Sequence, residues 1–129
     1  MKKTIITNNV LVYDKYNEKM DIIYLKEASY LEILSFVRNK IHEGYKLLTH
    51  PLSGSIKPNE TPFKSVAISA EKGKLDIESL EIIEASGNTA RKFIEGKKTP
   101  RWTEEILEDF RLIDFNLIDG AIQSMDQFY

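Results

Sequence analysis

Sixteen residues near the middle of the chain, THPLSGSIKPNETPFK from Thr49 to Lys64, carry most of the groups that could do chemistry. Ser53, Gly54 and Ser55 can offer hydroxyls and backbone N–H groups to an anion, and Lys57 can supply a countercharge. The phosphate-binding loop and the glycine-rich dinucleotide fingerprint are both missing. The pattern indicates a site for a small anion such as a carboxylate or phosphate, with an ordinary proline-rich loop as the alternative explanation.

His50 raises a second possibility, because a histidine beside a serine can act as a general base. A hydrolase or group-transfer enzyme would then use His50 as the candidate catalytic residue, with a loop serine or a bound water as nucleophile. No third residue that would orient the histidine is recognisable, so a non-catalytic binding role is favoured. The chain has no cysteine, and its two histidines lie in no cluster of metal ligands. We therefore expect neither a metal site nor a cofactor.

The elements that must position this loop are predicted from apolar patterns. Strands are predicted at residues 3–7, 21–26, 45–50 and 64–71, and helices after Asn9, after Ser29, from Asp76 and from Thr103. Alternation of strands and helices is typical of a parallel sheet. We predict a single α/β domain over residues 1–129, with about four strands in a mainly parallel sheet, helices on its faces and two long C-terminal helices.

Several local signals support these boundaries and leave two questions open. Ser29 and Glu32 have the spacing of a capping box, and Gly44 stands where that helix should end. Gly87 either lies at a close packing contact within one helix or splits it in two. The predicted strand 64–71 either runs antiparallel to its neighbour or follows a loop crossover.

The last predicted helix carries two apolar stripes, which is more than one face of a sheet can cover. The stripes contain the following residues: Ile106, Phe110, Ile113 and Leu117 in the first, and Leu107, Phe115, Ile118, Ile122 and Met125 in the second. If the first stripe faces the sheet, the second is covered by the preceding helix or by another copy of the chain. Two-fold dimers are the commonest oligomers, so we expect a homodimer through this helix.

Charge and composition exclude several classes of function. The formal net charge is -2, and the lysines are scattered, so nucleic acid is not expected as a partner. Residues 1–75 have about four more basic than acidic residues, which makes that half the better place for an anion. The N-terminal apolar run is interrupted at Asn8 and Asn9 and does not resemble a signal peptide. We expect a cytoplasmic protein without membrane contact.

Two segments, KTIITNN at the start and LLTHPLSGSIKPNETPFKSVAIS in the middle, resemble the GrdX family. These are small proteins encoded with the glycine reductase system of amino-acid-fermenting anaerobic bacteria. The resemblance implies an anaerobic cytoplasm and an accessory role around a system that turns glycine into acetyl phosphate and ammonia, with components of that system as partners. It carries over no catalytic residue.

The resemblance favours a functional loop over an ordinary one. Ligands of α/β sheets bind beyond the carboxyl ends of the strands, which adds the residues after the first strand to those of the loop. The candidate ligand-binding residues are Asn8, Asn9, Thr49, His50, Ser53, Gly54, Ser55, Lys57, Asn59 and Glu60.

Overall fold

A computed structural model of the chain describes residues 2–52, 54 and 56–128. Within these residues, three strands and four helices follow in the order β1 (Lys3–Thr7), α1 (Val10–Tyr16), β2 (Asp21–Tyr24), α2 (Tyr30–His42), β3 (Ser65–Ser69), α3 (Ile77–Gly96) and α4 (Glu104–Phe128). The sheet order is β2-β1-β3. The predicted α/β class and the two long C-terminal helices are confirmed. No helix in the described part of the chain is both long and apolar enough to cross a membrane.

The predicted sheet of four mainly parallel strands is not confirmed. β1 pairs in parallel with β2 and antiparallel with β3, so the sheet is mixed, and the antiparallel alternative for residues 64–71 holds. Residues 45–50 form only one antiparallel bridge, between Leu47 and Ile68, along the free edge of β3. Regular pairing fails there because the Ala67 N–H donates to the Thr49 hydroxyl at 3.0 Å instead of to a carbonyl.

Helices cover both faces of the sheet, because successive strand residues point to opposite sides. Ile6 of β1 packs with α2 and α3, in a cluster that includes Ile33, Val37 and Ile83. Ile5, its neighbour, packs on the other side with α1 and α4. The domain is therefore a three-layer sandwich, with its polar candidate site at the end of the sheet where β1 stops and β3 starts.

Local sequence signals set the helix ends. Asn9 caps α1 by accepting from the Leu11 N–H. Ser29 and Glu32 form both bonds of the predicted capping box. Gly44 has a φ of 109°, and a Cβ there would lie 2.2 Å from the Gly73 carbonyl oxygen, so this position requires glycine.

Gly87 lies inside the continuous helix α3, so the alternative of a split helix is excluded. The expected close packing contact at Gly87 is not found, since a Cβ built there would meet nothing within 4 Å. Instead Gly87 lines a shallow groove between α2 and α3, together with Arg38 and Arg91. The glycine leaves space between the two helices.

Helix α4 turns its second apolar stripe to the sheet, which reverses the assumed orientation. Ile118 and Ile122 are 4% and 1% exposed and pack in the same cluster as Ile5. In the first stripe, Ile113 and Leu117 are 39% and 40% exposed. Because Ile118 lies in the core of a single chain, substituting it would disturb the fold. Such a variant therefore cannot be used to test the expected contact between subunits.

Candidate functional site

A buried acid on α4 joins the ends of β1 and β3. Asp114 is 7% exposed, and its carboxylate accepts hydrogen bonds from the Ser65 N–H at 3.1 Å, the Ser65 hydroxyl at 2.7 Å and the Asn9 side-chain amide at 3.0 Å. These bonds fix the rotation of α4 about its axis. Because Ile118 is one turn further along the same side of the helix, they also explain why the second stripe faces the sheet.

A chain of hydroxyl groups leads to this carboxylate. The Asn9 N–H donates to the Thr7 hydroxyl oxygen at 2.9 Å, and the Thr7 and Ser65 hydroxyl oxygens are 2.6 Å apart. Since Ser65 has a single hydroxyl proton and donates it to Asp114, Thr7 must donate to Ser65. The polar groups at this end of the sheet therefore satisfy one another.

Burial is the main influence on the Asp114 carboxyl group. It raises the pKa of Asp114, and the hydrogen bonds from Asn9 and Ser65, together with the charge of Lys64, lower that pKa in part. The direction is upward because removing an ionised carboxylate from water costs more than these partners return. Asp114 is thus a structural acid whose surroundings favour its protonated form more than water does.

Asn8 and Asn9 use their side chains inside the protein. The Asn8 amide donates to the carbonyls of Ala28 and Pro62, both at 2.9 Å, and its oxygen accepts from the Lys64 N–H. Asn9 caps α1 and also donates to the Arg111 carbonyl at 2.8 Å. Both asparagines hold the surrounding segments in place, and their direct binding of a ligand stays a prediction.

Lys64, just before β3, differs from these satisfied groups. The residue is only 6% exposed, yet its ammonium has no hydrogen bond or ion pair with any residue that the structure describes. The Lys64 nitrogen lies over the ring of Tyr30, 5.7 Å from the ring centroid. Burial lowers the pKa of Lys64, while the charge of Asp114 acts in the opposite direction. An ammonium in this position has unused donors.

Tyr30, the first residue of α2, is also buried, at 5% exposure. Burial raises the pKa of Tyr30, and the Asp114 charge raises it further, so the phenol keeps its proton. Its hydroxyl makes no hydrogen bond within the described residues. The Tyr30 hydroxyl and the Lys64 ammonium therefore both have hydrogen-bond donors that no described residue uses.

These two residues line a pocket between α2, α4 and the central loop, called here the Lys64 pocket. Its polar end is formed by Tyr30, Thr61, Lys64 and Asp114, and its apolar walls by Ile56, Phe63, Phe110, Ile113 and Leu117. The pocket has room for about one water molecule, within about 310 Å³ of empty volume that includes its open mouth. An apolar pocket with a few polar groups is the usual form of a small-ligand site.

The central loop is tied over this pocket at both ends. The Trp102 indole N–H donates to the Glu60 carbonyl at 2.7 Å, and its ring packs on Phe110 at a centroid distance of 5.6 Å. Gly54 has a φ of 99° and lies so close to Leu117 that a Cβ would be 2.7 Å from it. Trp102 holds the loop against α4.

The predicted loop residues that the structure describes do not converge on one point. The Thr49 hydroxyl bonds to Ala67 at the sheet edge. Lys57 is exposed, and its carbonyl accepts from the Glu60 N–H in a turn. Asn59 is buried, and its Oδ1 is the one buried side-chain atom without a hydrogen bond in the described parts of the chain. Ser53 and Ser55 lie outside the described residues.

His50 lies away from the Lys64 pocket, on the side of α3. It is exposed, lines a shallow depression with Leu52 and Glu81, and accepts a hydrogen bond on Nδ1 from the Leu52 N–H at 3.1 Å. Within residues 2–52, 54 and 56–128, it bonds to no hydroxyl group and no orienting acid. The enzyme alternative based on His50 gains no geometric support from these residues.

Sequence reasoning missed the residues that the fold gathers around the pocket, namely Tyr30, Lys64, Ser65 and Asp114. Asp114 carried a usable signal, because it stands four residues before Ile118 and shares its side of the helix. A charged residue at a buried helix position must find partners. Lys64 directly precedes a buried strand, but nothing in its neighbours indicates that its ammonium would be enclosed.

The arrangement can bind an anion more readily than it can hold a metal. Lysine and tyrosine supply hydrogen-bond donors, whereas the one acid is already engaged in three hydrogen bonds. No group of three or more histidine and acidic side chains suited to a metal ion occurs in the described residues. The donors present would suit a negatively charged or hydrogen-bond-accepting group better than a metal ion.

Comparisons with known proteins separate the question of family from that of activity. No curated protein and no solved structure matches the chain. The profile of the GrdX-like protein family matches residues 4–123, which include both strands that end at the site, the central loop and most of α4. The chain belongs to the GrdX-like protein family.

Proposed function

We propose that this GrdX-like protein is a cytoplasmic accessory protein of glycine reductase metabolism that binds a small anion in the Lys64 pocket. The metabolic setting rests on the family, whose members are encoded with that system, and components of the reductase are the proposed protein partners. The observation that carries the binding proposal is Lys64, a residue only 6% exposed whose ammonium has no hydrogen-bonding or ionic partner among the described residues and which lines the open pocket.

A buried ammonium is costly unless another group replaces the water it has lost. Asp114 does not form an ion pair with Lys64, and its carboxylate is turned to Asn9 and Ser65. An anion in the pocket would supply the missing acceptor, and the Tyr30 hydroxyl would add a second donor to it. The bond between a charged donor and a charged acceptor is stronger than one between neutral groups.

The first test measures thermal unfolding with increasing phosphate, sulfate or acetate. An anion at one hundred times its Kd should stabilise the native protein by about 2.7 kcal/mol, through mass action. Lys64→Met should remove this response, and Lys74→Met, which deletes an exposed charge in a distant turn, should keep it. If no anion stabilises the native protein, or if Lys64→Met responds like the native protein, the anion site is wrong.

Lys57→Met separates the Lys64 pocket from the site suggested by the loop sequence. Lys57 is exposed and does not line the pocket, so this variant should keep most of the anion response. If the stabilisation by anions were lost in Lys57→Met and kept in Lys64→Met, the anion would bind at the outer surface of the loop and not in the Lys64 pocket.

The homodimer stays a proposal, now through the first stripe of α4. In that stripe Ile106 is 37% exposed and does not line the Lys64 pocket, which leaves apolar surface there for a second copy. Light scattering should give twice the mass of 14.9 kDa, and Ile106→Glu should halve it without loss of helical signal. A monomeric native protein would contradict the dimer and leave the anion proposal untouched.

A further inference from the structure

The Lys64 pocket combines a charged end with an apolar mouth, and this combination narrows the chemistry of its ligand. The pocket has room for little more than one water molecule, which suits a group as small as a carboxylate oxygen. A tetrahedral phosphate with its hydration is larger than this space. The charged end is therefore better matched to a carboxylate than to phosphate.

The mouth of the pocket is apolar and offers little to a purely polar anion. Ile113 and Leu117 stand at its edge on α4, 39% and 40% exposed, and Ile56 of the loop lines the same opening. An inorganic anion would gain nothing from these side chains, whereas an aliphatic chain would remove their surface from water. The apolar lining favours a ligand with a short hydrocarbon tail.

From these two observations we infer that the Lys64 pocket binds a monocarboxylate with a short aliphatic tail, its carboxylate on the Lys64 ammonium and Tyr30 hydroxyl and its tail between Ile56, Ile113 and Leu117. The inference rests on the proposed anion site and specifies the ligand of that same site. The raised pKa of Asp114 is compatible with it, since burial favours the protonated, uncharged form of the acid that lines the pocket.

The test is calorimetric titration of the full chain with acetate, butyrate and hexanoate, with phosphate and butylamine as further probes. Each added methylene group should tighten binding about fourfold until the tail has filled the mouth. Butylamine, which has a comparable tail and the opposite charge, should not bind. Lys64→Met should abolish carboxylate binding at every tail length.

Leu117→Ser and Leu112→Ser form a matched pair on the same helix. Both leucines are exposed, at 40% and 50%, but only Leu117 lines the pocket. Leu117→Ser should weaken hexanoate binding about tenfold or more and acetate binding little, and Leu112→Ser should change neither. Since both changes are at exposed positions, this pair gives a result even if Lys64→Met fails to fold.

The outcomes distinguish the inference from the proposal on which it rests. Phosphate or acetate binding without any gain from a longer tail overturns the inference and leaves an anion site. Equal losses with Leu117→Ser and Leu112→Ser also overturn it, because the tail would then lie elsewhere. Preference for butylamine overturns both, since Asp114 and not Lys64 would be the recognising charge, and so does failure of every probe to bind.

Discussion

Asp114 and Lys64 are two buried charged residues at the same end of the sheet, and they differ in the number of hydrogen bonds that they make. Asp114 accepts three hydrogen bonds from two different elements, whereas the Lys64 ammonium has none from the described residues. A buried charge with a full set of partners is part of the architecture. A largely buried lysine whose ammonium lacks such partners has hydrogen-bond donors left for a group from outside the chain, which is the basis of the proposed anion site.

The largest effect on this comparison should come from Asp114→Ala. This change would leave the Ser65 N–H and one Asn9 amide proton without acceptors, and we expect a loss of about 3 kcal/mol in the free energy of unfolding. Urea denaturation measures it. Asp109→Ala, at an exposed position of the same helix, should cost less than about 0.5 kcal/mol. Equal small losses for both variants would show that the Asp114 bonds contribute little.

Lys64→Met should have a much smaller effect on stability, although the residue is buried just as deeply. Methionine keeps most of the apolar stem and removes a charge that has no internal partner, so the free energy of unfolding should stay within about 1 kcal/mol of the native value or rise. The same urea titration checks this. A loss as large as that of Asp114→Ala would show that Lys64 supports the fold and would weaken the case for a ligand.

Because Asp114 is a buried acid, its effect on the free energy of unfolding should become less favourable as the pH rises. The folded-state pKa of Asp114 is raised. Its protonation therefore contributes to the free energy of unfolding in full below the ordinary pKa of about 3.9, and this contribution is lost as the pH rises through the folded-state pKa. Relative to Asp114→Asn, the native protein should lose stability across that window.

Unfolding measured for both proteins at several pH values gives this difference directly. The capping acids Glu32 and Asp76 have lowered pKa values, because of bonds from Ser29 and Ser79 respectively, and act in the opposite direction. They are present in both proteins and cancel in the comparison. A native protein that gains stability with rising pH relative to Asp114→Asn would mean that the hydrogen bonds, and not burial, control this acid.

The smallest effect is expected from Trp102→Phe, which loosens the loop over the Lys64 pocket. The variant keeps an aromatic ring beside Phe110 but removes the 2.7 Å bond to the Glu60 carbonyl, and should cost about 1 kcal/mol. Hydrogen exchange should show faster exchange in residues 56–63 and no change in α2. Unchanged exchange in the loop would mean that Trp102 is not its main tie.

Features that depend on neighbours in the chain could be predicted from the sequence. The capping box at Ser29, the cap at Asn9 and the stop at Gly44 were each predicted, because a side chain and the backbone groups it satisfies lie within a few residues. The α/β class followed from the alternation of apolar periods. A functional role for the loop from Thr49 to Lys64 was also predicted and stays a prediction, and the described side chains among its predicted site residues do not converge on one point.

Tertiary structure alone decided which groups meet at the pocket. Tyr30, Lys64 and Asp114 come from three distant segments, and their approach depends on the antiparallel pairing of β3 and on the rotation of α4. The two stripes of α4 are both apolar, so periodicity could not choose the buried one. The bonds of Asp114 to Asn9 and Ser65 turn the second stripe toward the sheet. These bonds form only when the strand ends and α4 are together, because a buried carboxylate is stable only where donors from other elements reach it.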